Sequence, residues 1–386
     1  MKMTMNYARF LNKISQARQP SPIRVLTAIL QQSPPSMISM AGGMPNVGTF
    51  PIESASFKLV DGSSLEMDSK LMKQALQYCP TPGVPDLIKW LKGLQEKQHN
   101  IADQFSAGHT DLLVTNGSQD GICKAFEALV SPGDNVLIET PSYPGTLAVV
   151  KPMDCKLIPV QSDSCGLNPN DLSNIMSKWS PSDAQDDKSD IPKVLYLIPN
   201  GGNPTGHGLT MERKKEIYSL AQKYNLIPYV SSLLSMDVDG RVVRFDSFSK
   251  LISSGMRIGT VTGPKPVLDR ISLHMQASVM HASSLSQVVL CRILEQWGYE
   301  GLAEWSEPSG GMFLWLKLSV PDTYELITVK AREREVLFVP GSAFTMDDTH
   351  PSQHVRASYS TCSEEQMNTA FERLAGLIRE EQMKGS

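Results

Sequence analysis

The sequence predicts an α/β protein with a mostly parallel central sheet in a large domain, joined to a smaller α+β domain. Three observations predict it. From Asp111 onward, short apolar strands alternate with Gly-rich turns and helices of 3.6 period. The run Val194-Leu195-Tyr196-Leu197-Ile198 is unbroken and apolar, as in a strand covered on both faces. From about Leu302 the rhythm changes to strand, helix, strand, helix, which marks a second unit. The expected division is an arm over 1–36, a large domain over 37–300 and a small domain over 301–386 that packs with the arm.

At 386 residues the chain is long enough for two domains or three, each with its own core. A net charge of -4 with 20% charged residues gives no general attraction for nucleic acid or an anionic membrane. No apolar run is long enough to span a bilayer. The cysteines at 79, 123, 155, 165, 291 and 362 form no C-x-x-C pair, and they read as free buried thiols of a reducing compartment.

The amino terminus differs in composition. No acidic residue occurs from Met1 through Ile52, while Lys2, Arg9, Lys13, Arg18 and Arg24 are basic and Phe10, Leu11 and Ile14 are read as one apolar face. Two readings stand side by side: a mitochondrial transit peptide, or a basic arm of the mature protein.

In chain order, Ser33-Pro34-Pro35-Ser36 is a linker, and Met37 to Pro45 an extended segment broken by the Gly42-Gly43 turn. Asp86 opens a helix with Leu87, Trp90, Leu91 and Leu94 on one side. Leu112-Leu113-Val114 is a strand, and Asn116 to Gly121 leads into a helix carrying Ile122, Phe126 and Leu129. That turn is either a plain N-cap or an anion site, because helix starts present unpaired N–H groups. Asn135 to Glu139 is a second buried strand, and 180–191 a polar surface loop. Val194 to Ile198 runs into Pro199-Asn200-Gly201-Gly202-Asn203-Pro204-Thr205-Gly206, followed by a helix with Ile217, Leu220, Ala221 and Tyr224 at helical spacing. Arg257 to Gly263, Gly311 to Leu318 and Val355 to Tyr359 are further strands, and Ser363-Glu364-Glu365-Gln366 is a capping box for a terminal helix.

One stretch offers chemistry. In Asp246-Ser247-Phe248-Ser249-Lys250, with Arg257 seven residues beyond the lysine, an amine able to form a Schiff base stands among hydroxyl and guanidinium groups that suit a phosphate; alone, the stretch reads more often as a solvated Ser-rich loop. Asn203-Pro204-Thr205-Gly206, Ser247-Phe248-Ser249-Lys250, Arg257 and Arg356 stand in an order that resembles the fold-type I, pyridoxal-phosphate-dependent aminotransferases. Met5 to Phe10, Ser21-Pro22-Ile23-Arg24, Asn116 to Gln119 and Ser235 to Gly240 resemble its members that act on kynurenine and 2-aminoadipate.

The resemblance implies roles. Lys250 would attach the cofactor and shuttle the proton; Ser118, Gln119, Ser247, Ser249 and Arg257 would hold the phosphate; Tyr143 would stack on the ring and Asn203 would bond its hydroxyl. Arg356 would fork the substrate α-carboxylate, Gly43 would lie against the substrate and Arg24 would face its side chain. Tyr78 would reach the phosphate across a homodimer interface that His274 to Gln287 also lines, its histidines read as packing groups. The implied reaction passes an amino group from kynurenine or 2-aminoadipate to 2-oxoglutarate, in mitochondrion or cytoplasm.

Two departures qualify this. The family has an Asp that pairs with the pyridine nitrogen, and then a Tyr, where this chain reads Ile227-Pro228-Tyr229-Val230-Ser231-Ser232; residues are missing there, Tyr229 is the available stand-in, and Pro228 removes a donor from an expected central strand. A linking helix of the family is missing between Gly301 and Leu302. A second reading therefore stands beside the enzyme: a variant that keeps the fold or the cofactor without turnover.

Overall fold

The computed structural model describes residues 5–31, 33–34, 36–38, 43–186, 188–229, 233–299, 312–347 and 349–384. The expected features at Pro35, Gly42, Ser231-Ser232, the Gly301–Leu302 join and the first strand residue, Gly311, lie outside them. The chain forms two compact units, Met1–Ser131 with Leu233–Trp305, and Pro132–Ser232 with Ser306–Ser386.

The first unit begins with α1 (Lys13–Ala17), α2 (Pro22–Gln31), the hairpin β1 (Ala55–Lys58) and β2 (Ser64–Met67), α3 (Ser69–Leu76), α4 (Pro85–His99), α5 (Ala102–Ser106), β3 (Thr110–Thr115) and α6 (Ser118–Leu129). Helix α4 starts on Pro85 and stops at Asn100, whose φ of 54° is left-handed. Its Leu87 and Leu91 join Met72, Leu112, Val114, Leu290 and Leu294 in the unit's core.

The second unit opens with β4 (Asn135–Thr140), α7 (Pro144–Val150), β5 (Lys156–Asp163), β6 (Gly166–Leu167), α8 (Pro169–Met176), β7 (Val194–Tyr196), α9 (Met211–Lys223) and β8 (Ile227–Tyr229). These strands make a five-stranded sheet in the order β6-β5-β4-β7-β8, parallel except for β6. The parallel α/β arrangement expected from the strand–turn–helix rhythm is present here. Pro228 pairs opposite Leu195 on the outermost strand of this sheet among the described residues, and not on a central strand. An edge strand tolerates the missing N–H, which explains the proline. The expected loop over 180–191 contains a capped turn, Pro181–Gln185, that buries Ala184.

The chain then re-enters the first unit with β9 (Arg244–Ser247), β10 (Gly259–Pro264), α10 (Lys265–Ser278) and α11 (Ser284–Trp297). Here the sheet is β3-β10-β9 and antiparallel, with every residue of β10 buried. The strand starts at Gly259, so Arg257 precedes it, with a positive φ of 56°. The second unit closes with β11 (Phe313–Lys317), β12 (Val339–Pro340), β13 (His354–Ser358) and the helix Glu364–Lys384. Strands β11-β13-β12 pair antiparallel, and Leu318, Val355, Leu374 and Leu377 bury together. Both halves of the expected capping box form: Ser363 N donates to Gln366 Oε1 at 2.9 Å and Gln366 N to Ser363 Oγ at 3.2 Å.

The arm is bonded into the first unit. Phe10 is fully buried, and Asn12 Nδ2 donates to the carbonyls of Glu127 (2.7 Å) and Val130 (2.9 Å) at the end of α6. Ser15 Oγ lies 2.7 Å from His274 Nε2, and Tyr7 donates to the Gly240 carbonyl at 2.7 Å. Phe10, Leu11 and Ile14 do not share a face, because Ile14 is 63% exposed while the buried positions are Phe10, Asn12 and Ser15. Polar contacts, which a hydrophobic pattern does not register, set the orientation. The cysteines are free as expected, but only Cys79 and Cys291 are buried and Cys362 is exposed. No helix among the described residues is long and apolar enough to cross a membrane.

Candidate active site

In the first unit, the turn before α6 is shaped for an anion. Gly117 occupies the N-cap with a φ of 79° and no side-chain cap, so the first N–H groups of a 12-residue helix are left to other acceptors. Ser118 and Gln119 are half-buried in its first turn. The Arg257 guanidinium is tied to the same turn, donating from Nη2 to the Asn116 carbonyl at 3.3 Å and from Nη1 to the Ser254 carbonyl at 3.2 Å. Close packing requires glycine twice: a Cβ at Gly117 would come within 2.5 Å of Arg257 Nη2, and one at Gly259 would collide with the Ser118 amide nitrogen.

Strand β9 delivers Ser247, whose Oγ accepts from Ser249 N at 3.3 Å. Buried Phe248 anchors the following turn. Its N–H donates to the Ile258 carbonyl, and its own carbonyl accepts from Leu251, Ile252 and Ser253. Lys250 projects exposed from that turn. Ser118, Gln119, Ser247, Ser249, Lys250 and Arg257 thus fall within one unit, on the α6 start and the β9–β10 connection. Tyr78 is 49% exposed and meets His281 edge-on at 5.9 Å. Arg24 lies on α2, and Gly43 is exposed, with nothing within 4 Å of the position its Cβ would take.

The second unit assembles the other candidates. Arg356 on β13 stands opposite Trp315 on β11, and its Nη1 donates to Asn203 Oδ1 at 3.0 Å. The guanidinium carbon sits 4.2 Å from the Phe313 ring centroid and 5.1 Å from that of Phe344. Its Nε is buried without a hydrogen-bond partner. Burial pulls the guanidinium below its ordinary pKa, and the Tyr143 phenol opposes that shift. Asn203 rides on a closed loop in which Leu209 N donates to the Pro199 carbonyl (2.7 Å) and Gly202 N to the His207 carbonyl (2.8 Å). A Cβ at Gly206 would come 2.9 Å from the Phe313 carbonyl oxygen, so this loop packs on β11 only with glycine there. Tyr143 is half-buried at the start of α7, next to Ser142, whose N–H donates to the Phe344 carbonyl.

Phe313, Phe344 and Glu139 were not anticipated. The two rings reach Arg356 through strand register and a distant turn, which sequence spacing does not reveal. Glu139 carried a signal, a charge at the end of the apolar run Val136-Leu137-Ile138. Its buried carboxylate accepts from Ile198 N at 2.8 Å, and desolvation pushes its pKa up to about 7. Tyr229 is fully buried at the end of β8, and burial raises its phenol pKa well above the ordinary value. β8 holds Ile227, Pro228 and Tyr229, and carries no carboxylate.

The donors of the first unit fit pyridoxal phosphate: an uncapped helix start with a guanidinium for the phosphate, and an exposed lysine on the same unit's β9–β10 turn. The second unit, by itself, holds an Arg fixed by an amide, with Nε buried and unpartnered. The profile of the aminotransferase class I and II family matches residues 48–298. A mitochondrial kynurenine/alpha-aminoadipate aminotransferase of Mus musculus is 45% identical, over 97% of this chain and all of that one. The 423 aligned positions exceed the 386 residues of the chain, so at least 37 of them face a gap in it. Among solved structures, aminotransferase Aro8 of Candida albicans is similar at a TM-score of 0.82 and 24% identity, over 99% of both chains. A Pyrococcus horikoshii kynurenine aminotransferase is similar at 0.72 and 25%, over 97% of this chain and 98% of that one. Fold and donors together define a pyridoxal-phosphate-dependent enzyme of fold type I. Within that class, the chain belongs to the class I and II aminotransferases and acts on amino and 2-oxo acids.

Proposed function

We propose that the protein transfers the amino group of 2-aminoadipate or kynurenine to 2-oxoglutarate. The observation that carries this is Arg356, held by Asn203 and flanked by Phe313 and Phe344 with Nε unpartnered, a guanidinium suited to the α-carboxylate common to all these substrates. Support for the substrates comes from the 45% identity to the mouse enzyme of that name. Pyridoxal phosphate, when bound, supplies the electron sink that weakens the Cα–H bond. Lys250 Nζ holds the cofactor and takes and returns the Cα proton. The α6 start, Ser118, Gln119, Ser247, Ser249 and Arg257 bind the phosphate, Tyr143 covers the ring and Asn203 bonds its hydroxyl. Arg24 and Gly43 bound the substrate side chain.

A homodimer completes this reading, with Tyr78 offered to the partner's phosphate. In its favour, the first unit leaves the apolar side chains of Ile23, Leu26, Ile29, Tyr78, Val279 and Met280 each between 36% and 61% exposed. We also keep the division into arm, large and small domain at 36 and 300, place the missing blocks at 227–232 and 301–302, and assign the protein to mitochondrion or cytoplasm.

One observation favours a second reading, impaired turnover: β8 ends in Tyr229 with no carboxylate for the pyridine nitrogen. Removing one partner of a buried ion pair costs about 3–5 kcal/mol. Carried wholly into the barrier, that is roughly a hundred- to a few-thousandfold in rate. Single-turnover mixing with 2-aminoadipate separates the two: conversion within seconds supports the enzyme, and an unchanged cofactor spectrum supports the impaired variant.

A further inference from the structure

We infer that Glu139 is a positioning residue for the substrate-carboxylate fork, acting through the root of the Asn203 loop. Its carboxylate is buried at the end of β4, and Oε2 accepts from Ile198 N at 2.8 Å. The backbone N–H of Leu167, at the sheet edge, lowers the pKa of this carboxylate against the larger rise from burial. Ile198 is where the chain leaves β7 for the loop that carries Asn203. That loop closes on itself at its root, Leu209 N donating to the Pro199 carbonyl at 2.7 Å, so the anchor next to the closure sets the direction in which the loop leaves the sheet. At its tip Asn203 Oδ1 accepts from Arg356 Nη1 at 3.0 Å. A chain of contacts, Glu139 to Ile198, loop to Asn203, Asn203 to Arg356, therefore runs from a group remote from substrate to the fork that grips it. All of it lies within one compact unit.

The carboxylate has no cationic partner contributing to its state; desolvation and two backbone donors account for it. The titratable side chain facing it is Tyr196 on β7, whose phenol pKa is raised first by burial and then by the charges of Glu139 and Tyr143. An ionised Glu139 gives the Ile198 N–H a charge-assisted acceptor, and a protonated one gives it a weaker neutral acceptor. Its midpoint, raised to about 7, places that change within the physiological range. The inference rests on Arg356 and Asn203 being the carboxylate site, and does not require turnover.

The test is calorimetric titration of cofactor-free protein with glutarate, a simple dicarboxylate, at about pH 6 and about pH 8, either side of the Glu139 midpoint. Wild type should bind roughly five- to tenfold more weakly at the lower pH, the difference between a neutral and a charge-assisted hydrogen bond. Glu139→Gln should bind weakly at both. Glu139→Asp, which keeps the charge and shortens the reach, should also bind weakly at both. A second readout needs no ligand. Because the folded pKa lies above the ordinary carboxyl value, the stability it confers is complete at low pH and is lost as pH rises through about 7. The Tm of wild type relative to Glu139→Gln should therefore fall from about pH 5 to about pH 8, across that midpoint. Wild-type affinity that is the same at both pH values overturns the inference even if the variants do not fold. So does Glu139→Gln binding as tightly as wild type, or an absence of glutarate binding at every pH.

Discussion

The two proposed sites, one within each unit, are built by opposite means. In the first unit the proposed phosphate cradle is made of backbone N–H groups, serine hydroxyls and two glycines, Gly117 against Arg257 and Gly259 against the Ser118 amide, and its lysine is exposed. In the second, the proposed carboxylate fork is a half-buried guanidinium held by one amide beside two aromatic rings. The first depends on backbone shape, so its sensitive positions are small residues. The second depends on desolvation and side-chain locking, so its sensitive positions are large or charged ones.

That contrast orders the predictions. Lys250→Ala should have the largest effect, removing the borohydride-sensitive visible band and lowering turnover by at least the roughly 10²–10⁴-fold of a lost general acid–base group. Arg356→Ala comes next: losing the guanidinium partner of the substrate carboxylate costs about 2–5 kcal/mol. It should raise KM for amino donor and 2-oxo acid alike while leaving the visible band in place, and Arg356→Lys should recover only part because it lacks the fork. Gly117→Ala should do the reverse. The strain of a side chain at a φ of 79°, next to Arg257, costs about 1–3 kcal/mol and should appear as weaker cofactor retention, read by fluorescence titration, with glutarate affinity of the cofactor-free protein unchanged. If Gly117→Ala weakened glutarate and spared the cofactor, the division of labour would be wrong. The smallest effect is expected from Asn12→Ala, which removes the side chain that satisfies the carbonyls at the end of α6. It should lower stability by about 0.5–2 kcal/mol in urea unfolding and change neither ligand affinity.

The same contrast explains what could be read from the sequence. Ser247, Ser249, Lys250 and Arg257 lie within one short stretch, and Asn116 to Gln119 sits at a strand-to-helix turn, so local pattern marks them as candidates, while a solvated loop and a plain N-cap fit that pattern as well and only the resemblance assigns the roles. Arg356 and Asn203 are separated by 153 positions and were placed by resemblance. Phe313 and Phe344 were invisible, because their approach to Arg356 follows from strand register and a turn far along the chain. Of the fold, the buried parallel strands and the helix over Met211–Lys223 were legible from apolar runs and 3.6 periodicity. The docking of the arm was not, since Asn12, Ser15 and Tyr7 hold it through hydrogen bonds and Ile14 faces solvent. Pro228 looked misplaced in a central strand and is at home on an edge strand.

The central claim is the proposed one, that this chain holds pyridoxal phosphate through Lys250 and transfers an amino group with it. The most direct measurement is the visible spectrum of the purified protein loaded with pyridoxal phosphate, before and after 2-aminoadipate. The account predicts a band that borohydride bleaches, that Lys250→Ala lacks, and that amino acid converts to the pyridoxamine form and 2-oxoglutarate restores. A band that forms in wild type but is unmoved by either substrate, or one that survives in Lys250→Ala, would contradict it.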